Sequence, residues 1–271
     1  MSYGIFKSKV LDFVLQRRDR LTPRDIQKGL SDFIGRREVN TALKELIAEE
    51  RLSYTYEFGH TFVEPALNTS IQLTDRIVLI PPGRSFEPGS DKVFITLRPG
   101  ISFGNGQHPT SVLVLQGMER VFSGKMTDFI PEDILDIGTG SGILALASIK
   151  LGGKMAFGID NDPNAVFEAN ENVALNSLEN QVRISKTSLE SVQGKFELIL
   201  ANLRAPTLKD ISWGLTKYSR DRSVFIMSGF YPEETQGLLE RYKKTGWSCH
   251  YRARQGNWEM VILLSMSNKQ V

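Results

Sequence analysis

The 271-residue chain contains a single cysteine, Cys249, and three histidines. One thiol can close no internal disulfide and build no multi-thiolate zinc site, which points to a reducing, cytoplasmic compartment. Long apolar runs are missing too. The longest predominantly apolar stretch, Ile143 to Ile149, falls far short of the roughly 20 residues that a membrane-spanning helix requires. The amino terminus, Met1-Ser2-Tyr3-Gly4-Ile5-Phe6-Lys7, lacks both an apolar core of signal-peptide length and a small-residue cleavage pattern, so no membrane partner is expected. Nor is charge of one sign in excess. Lys and Arg number 33 against 31 Asp and Glu, a formal net charge of +2, and any nucleic-acid partner must therefore be read by a local patch. Repeats and low-complexity tracts are absent, and 41% hydrophobic with 24% charged content describes a globular chain long enough for one large domain or two unequal ones.

Residues 1–67 predict three short helices and a hairpin. Phe6, Val10, Phe13 and Val14 recur at helical spacing. Thr22-Pro23-Arg24-Asp25 places a hydroxyl at an N-cap, proline at the first helical position and a carboxylate in the first turn of a helix ending near Leu30. After a break at Gly35, Val39, Ala42, Leu43, Leu46 and Ile47 give the third helix one apolar face. Leu52 to Tyr56 and Thr61 to Val63 read as strands joined through Glu57, Phe58, Gly59 and His60. Helix, helix, helix, hairpin is the layout of a winged helix-turn-helix. Arg17, Arg18, Arg20, Arg24, Arg36 and Arg37 cluster in it, yet it holds eleven basic against ten acidic residues, Glu38, Glu45, Glu49 and Glu50 among them. The module fits either a protein-docking role or, through the arginines, a nucleic-acid partner.

Residues 68–108 read as a connector, with strands at Ile77 to Ile80 and Val93 to Leu97 between proline-glycine turns, packed on the domain C-terminal to them. In residues 109–271, strand candidates Ile134 to Ile137, Met155 to Ile159, Val182 to Ser185, Leu198 to Ala201 and Val224 to Met227 alternate with amphipathic helices. That alternation predicts an α/β fold with a doubly wound, mostly parallel sheet. Ser248 to Ala253 and Glu259 to Leu264 lie too close for a helical crossover and should pair antiparallel through Gln255-Gly256-Asn257, completing seven strands with an antiparallel last one.

The stretch Ile134-Leu135-Asp136-Ile137-Gly138-Thr139-Gly140-Ser141-Gly142 runs from a buried strand into a glycine turn and then a helix, at the sheet edge where doubly wound folds bind ligands. No Lys-Ser or Lys-Thr follows the last glycine, so the P-loop pattern fails. Ile143 stands where a dinucleotide fingerprint needs its third glycine or alanine. Asp-x-Gly-x-Gly-x-Gly with the acid inside the strand end is instead the pattern for S-adenosylmethionine. That cofactor carries an ammonium and a sulfonium that a carboxylate such as Asp136 can face, and the glycines let it lie on bare backbone. The second strand ends at Asp160, the spacing at which an acid receives ribose hydroxyls, and Asn161 or Asp162 could reach the adenine edge. The alternative is a glycine turn serving only strand-to-helix geometry. The later strand end Ala201-Asn202-Leu203-Arg204-Ala205-Pro206 puts an amide at the same edge, able to accept from an incoming amine and to donate to the cofactor. It lacks the Asn-Pro-Pro-aromatic clamp used for flat amino groups, so a flexible amine is expected, and Asn202 could alternatively cap the following helix.

Phe103-Gly104-Asn105-Gly106-Gln107-His108-Pro109-Thr110-Ser111, Asp136 to Gly142 and Ala201-Asn202-Leu203, with Ser228-Gly229-Phe230 and Gly256-Asn257-Trp258-Glu259, together resemble the PrmA-type ribosomal protein methyltransferases from about Ile71 to Leu264. The resemblance implies a seven-stranded Rossmann-like methyltransferase sheet, S-adenosyl-L-methionine as cofactor and a ribosomal protein as substrate. It implies cofactor contacts from Thr110, Asp136, Gly138, Asp160 and Asn202, with His108 shaping a covering loop. Phe103, Thr139, Gly140, Gly142 and Asn161 complete the candidate cofactor-binding set; Asn202 and His108 are the candidate catalytic residues, and no metal is expected. Arg204 departs from the family by placing a charge where an apolar or small residue is usual. The winged-helix-like start departs from the family's α+β docking domain.

The expected chemistry is direct displacement at the sulfonium methyl by a protein nitrogen, a lysine or an amino terminus. The alternatives are an RNA or DNA methyltransferase and a cofactor-binding regulator without catalysis. His60 and His250, on predicted hairpins, read as surface or packing residues, and Glu233 and Glu234 as the start of a helix.

Overall fold

The computed structural model describes residues 3–15, 17, 21–57, 60–66, 70–82, 91–98 and 106–265. The chain divides into two compact units, Met1–Ile71 with Ile80–Ser85, and Gln72–Leu79 with Phe86–Val271.

The first unit runs α1 (Tyr3–Leu15), α2 (Pro23–Gly29), α3 (Arg36–Ala48), then β1 (Leu52–Glu57) and β2 (His60–Pro65) as an antiparallel pair. Thr22 caps α2: its hydroxyl accepts from the Asp25 amide at 3.3 Å while the Asp25 carboxylate accepts from the Thr22 amide at 2.9 Å. The buried face of α3 is Val39, Ala42, Leu43 and Leu46, and it closes a core with Val10, Val14, Ile26, Leu52 and Val63. Leu21 adds one antiparallel bridge to Val63, a contact with no sequence periodicity to announce it. Arg18, Arg20 and the hairpin tip Phe58-Gly59 lie outside the described residues.

A three-stranded sheet follows, β3 (Ile71–Gln72), β4 (Ile77–Ile80) and β5 (Val93–Thr96), all of it but Ile71 and Ile80 in the second unit. Next come α4 (Pro109–Phe122), β6 (Asp133–Ile137), α5 (Ile143–Lys150), β7 (Met155–Asp160), α6 (Pro163–Leu175), β8 (Val182–Lys186), β9 (Phe196–Asn202), α7 (Ala205–Ile211), β10 (Ser219–Phe230), α8 (Pro232–Lys244), β11 (Trp247–Gln255) and β12 (Trp258–Ser265). Strands β6 to β12 form one sheet in the order β11-β12-β10-β9-β6-β7-β8. All neighbouring pairs are parallel except those of β12, which runs antiparallel between β10 and β11.

Both faces of this sheet are covered, which is why the central strands are continuous apolar runs. Leu135, Ile137, Ile199, Ala201, Phe225 and Met227 point toward Ala205 and Leu208 of α7 and Leu238 and Tyr242 of α8. The alternate residues face the other way, and Gly117 of α4 lies against Ile226 and Met260. Small residues let α4 settle closely there. The small sheet is tied to this unit by polar contacts: the Lys150 ammonium donates to the Phe94 carbonyl at 2.8 Å, and the Asn176 amide pairs with both backbone groups of Thr96. Among the described residues no helix is long and apolar enough to cross a membrane.

Candidate functional site

At the carboxyl ends of β6, β7, β9 and β10 the chain folds back on itself three times. Gly138, Gly140 and Gly142 adopt φ of 73°, 53° and 83°, a left-handed conformation at every second residue that explains why the spacing is glycine-x-glycine-x-glycine. The first turn is pinned from the neighbouring strand, because the amides of Gly138 and Thr139 both donate to the Ile159 carbonyl, at 2.9 and 3.0 Å. Gly142 is the N-cap of α5.

Asp136 is fully buried below this turn. The Thr139 hydroxyl donates to its Oδ2 at 2.7 Å. Burial pushes the carboxyl up to about 7, with hydrogen bonds from the Thr139 hydroxyl and the Ala145 amide opposing the shift. Asp160 takes the Gly140 amide on Oδ2 and the Asp162 amide on Oδ1, both at 3.0 Å, so it braces the loop as well as standing at the end of β7. Asp162 caps α6 by accepting from the Asn164 amide at 2.9 Å, and Asn161 is exposed beside it.

Asn202 ends β9 in register with Ser228 of β10. Its Nδ2 donates to the Ser111 hydroxyl of α4 at 3.2 Å, and its Oδ1 is buried with no partner. One of the two amide N–H groups expected to serve the cofactor is thus engaged by α4, while the acceptor is open. Gly229, at φ 97°, forms a bulge in the β10–β12 pairing, and a Cβ there would lie 2.5 to 2.9 Å from the backbone of Leu203. Leu203 in turn fills the space a side chain on Gly138 would need, 2.5 Å from a Cβ built at that position. These two glycines bring three strand ends together.

His108, expected as a candidate catalytic residue, is the N-cap of α4: its Nδ1 accepts from the Thr110 amide at 3.3 Å and lies 2.7 Å from the Thr110 hydroxyl. Thr110 is buried with its hydroxyl on His108. The histidine ring meets Trp258 edge-on, 5.2 Å between centroids. Phe103 and residues 104–105 lie outside the described residues. His250 sits on exposed β11, its Nε2 3.1 Å from the Ser248 hydroxyl, beside a cavity of about 530 Å³ that contains none of the glycine-loop residues. Glu234 opens α8, accepting from the Tyr231 amide at 2.8 Å.

Two residues of the site, Gly158 and Asn172, escape sequence reasoning, and Trp258, named within a motif, takes a role that the motif does not announce. Gly158 lies in register with Asp136, and a Cβ on it would come within 2.8 Å of the Thr139 hydroxyl that holds that acid; a glycine inside a strand was the available signal. Asn172 is fully buried on α6, donating to the Ser141 carbonyl and accepting from the Arg98 amide, both at 2.9 Å. Two asparagines four apart on a buried helix face, Asn172 and Asn176, could have flagged it. Trp258 joins a cluster in which its ring stacks on Tyr231 at 4.8 Å, with the Arg204 guanidinium over both. Asn172→Ala should strand the buried Ser141 carbonyl, while water takes over the amide of exposed Arg98, and so destabilise the protein by about 1–3 kcal/mol. Urea unfolding checks this, with exposed Asn170→Ala expected within about 0.5 kcal/mol of wild type.

The sheet order, the glycine turn and the acid at the end of the second strand define a doubly wound methyltransferase fold of the Rossmann-like class. The family described as Ribosomal protein L11 methyltransferase (PrmA) matches residues 68–265. The chain belongs to that family. A ribosomal protein L11 methyltransferase of Clostridium botulinum is 33% identical over 190 residues, covering 70% of this chain and 59% of the relative. One from Geotalea daltonii is 31% identical over 225 residues, covering 76% and 72%, and one from Pelobacter propionicus is 35% identical over 192 residues, covering 69% and 60%. This chain thus spans only about three fifths of the length of two of these relatives. The crystal structure of ribosomal protein L11 methylase from Lactobacillus delbrueckii subsp. bulgaricus is similar with a TM-score of 0.65 and 31% identity, covering 73% of this chain and 98% of that one.

Proposed function

We propose that this protein transfers a methyl group from S-adenosylmethionine to a nitrogen of a protein, with a ribosomal protein, as in the relatives' name, as the leading acceptor. The observation that carries the reading is Asn202 Oδ1, a buried acceptor without a partner, beside the buried Asp136 carboxyl on the neighbouring strand end and a glycine cradle. Their chemistry fits the cofactor. Asp136 suits the cationic methionyl end, the bare backbone of Gly138, Gly140 and Gly142 suits close approach, and the exposed side of Asp160 suits ribose hydroxyls. Thr110 and Thr139 support the cradle through His108 and Asp136, and Asn161 stands where an adenine edge would be read.

When bound, the cofactor supplies an electrophilic methyl on a sulfonium. The chain's own residues do the rest. Asn202 Oδ1 accepts a hydrogen bond from the incoming amine and so orients its lone pair, and Ser111 holds the amide in that direction. The apolar surroundings of Leu203 disfavour the ammonium form of the acceptor and favour the neutral nucleophile. His108 shapes the entrance as the cap of α4.

The first unit, with three helices, a hairpin and the Leu21 bridge, supports a winged helix-turn-helix-like docking module over residues 1–67, with residues 109–271 carrying the chemistry. A single exposed thiol, Cys249, suits a reducing cytoplasmic setting. Labelled cofactor incubated with the protein and cell extract tests the acceptor class: label that survives nuclease and is lost to protease is expected, and the reverse result overturns a protein acceptor.

A second test uses Asp136. With its carboxyl at about 7 in the free protein, the folded state binds more protons than the unfolded chain between the ordinary carboxylate value and about 7, so this residue subtracts stability as pH rises through that window. A cation in the site reverses the preference. Cofactor affinity measured by calorimetry should therefore rise with pH up to about 7 and level off, and Asp136→Asn should weaken binding and flatten that dependence.

A further inference from the structure

We infer that Arg204 forms an anion subsite at the rim of this site, taking a carboxylate that the protein acceptor carries next to its reacting amine; the inference rests on the methyl-transfer reading above. Arg204 follows Asn202 by two residues and is the N-cap of α7, with φ −66° and ψ 150°. Its exposed side chain turns toward the end of β10 and the start of β12. Nη1 donates to the Gly229 carbonyl at 3.3 Å, and the guanidinium carbon sits 4.8 Å from the Tyr231 ring centre and 5.3 Å from that of Trp258. The two rings stack at 24° to one another, and Trp258 touches His108. His108 holds Thr110, and the next residue, Ser111, holds Asn202. The cation is therefore fixed on an aromatic plate continuous with the amide that orients the acceptor.

That cation is not neutralised. Arg98, Arg220, Arg222, Arg252 and Arg254 of the same unit each pair with an Asp or Glu, but among the described residues no carboxylate reaches Arg204. One carbonyl uses one of its five donors, and a guanidinium stacked on rings is weakly hydrated and suited to bidentate capture of a planar oxyanion. The surroundings choose between oxyanions. Glu233 and Glu234 open α8 just after Tyr231, Asp160 ends β7 and Asp162 caps α6, so a run of phosphates would meet several carboxylates and one cation. A single carboxylate beside an amine meets complementary groups, the amine at Asn202 and the carboxylate at Arg204. A lysine or arginine flanking the reacting amine would instead be repelled.

Two end-blocked peptides test this: acetyl-Gly-Gly-Lys-Glu-Gly-amide and the same peptide with Gln for Glu, titrated calorimetrically into the full chain saturated with S-adenosylhomocysteine at low salt. The Glu peptide should bind at least about tenfold tighter to wild type. The preference should vanish in Arg204→Gln and Arg204→Met, which retain much of the side chain's stacking length, and survive in part in Arg204→Lys. Equal affinity for both peptides, affinity for neither, or a preference that persists in Arg204→Gln overturns the inference. So does tighter binding of an oligouridylate that Arg204→Gln abolishes, which would make the ligand a phosphate. The initial S-adenosylhomocysteine titration separates the two levels. Failure to bind it sinks the methyl-transfer reading, whereas binding it without a Glu preference sinks the subsite alone.

Discussion

Replacing Asn202 by alanine is expected to lower the single-turnover rate of methyl transfer by about 100-fold while cofactor affinity stays within a few-fold of wild type. The split follows from where the two ends of the amide point. Nδ2 is anchored on Ser111, 3.2 Å away on α4, and Oδ1 is a buried acceptor with nothing to accept from. A buried acceptor left open loses the hydrogen bonds it would make in water, so its retention is informative about what enters. Removing it leaves the glycine cradle, Asp136 and Asp160 untouched, which is why cofactor binding should survive. Ser111→Ala leaves the amide in place but frees it to rotate, and a smaller loss, about tenfold in kcat with KM little changed, is expected. Unchanged turnover in Asn202→Ala would reduce the residue to a strand terminus, and cofactor binding with no turnover in wild type would favour a regulator over an enzyme.

The parts of this architecture visible in the sequence are those whose cause is local. Strands β6 and β9 announce themselves because burial on both faces keeps their middles apolar, Ile134-Leu135 and Leu198 to Ala201, and α2 because Thr22, Pro23 and Asp25 are its cap. The start of β10 is hidden for the opposite reason. Arg220 and Arg222 look like a loop, yet Arg220 pairs with Asp133 and with Glu197 at 3.0 Å, and Ser219 is in register with Phe196, so the strand extends into polar sequence. The three glycines of the loop are legible from spacing. Gly158 is not, because its cause is the Thr139 hydroxyl lying over it from the glycine turn after β6. The motif residue His108 is visible, but its employment as a cap depends on where α4 begins. Arg204 stands out as a departure from the family, whereas its partners Tyr231 and Trp258 are brought to it only by the bulge at Gly229 and by the two-residue turn that pairs Gln255 with Trp258.

The strongest stability effect is expected from Arg252→Ala combined with Arg254→Ala, about 3–5 kcal/mol, more than from removing the acid they share. Glu259 is fully buried on β12, and its carboxylate takes Arg252 Nε at 2.7 Å, Arg254 Nε at 3.2 Å and the Thr235 hydroxyl at 2.8 Å. The arginines are about half exposed, at 42% and 57%, so water replaces their lost partner when Glu259 is changed. Glu259→Gln should accordingly cost only about 1–3 kcal/mol, the value for a stranded buried polar group. The reverse truncation is different. It leaves a desolvated carboxylate with one hydroxyl to stabilise it, in a strand whose carbonyl at the same residue accepts from Ser228 at 2.8 Å. The unpaired charge therefore strains the junction of β10, β12 and α8, which carries Tyr231 and Trp258. For a chain of this size each kcal/mol lowers Tm by roughly 2–4 °C. Denaturant unfolding of wild type and the two variants decides the order: a double-arginine variant more stable than Glu259→Gln would mean that apolar packing of β12, not the charge cluster, holds this edge of the sheet.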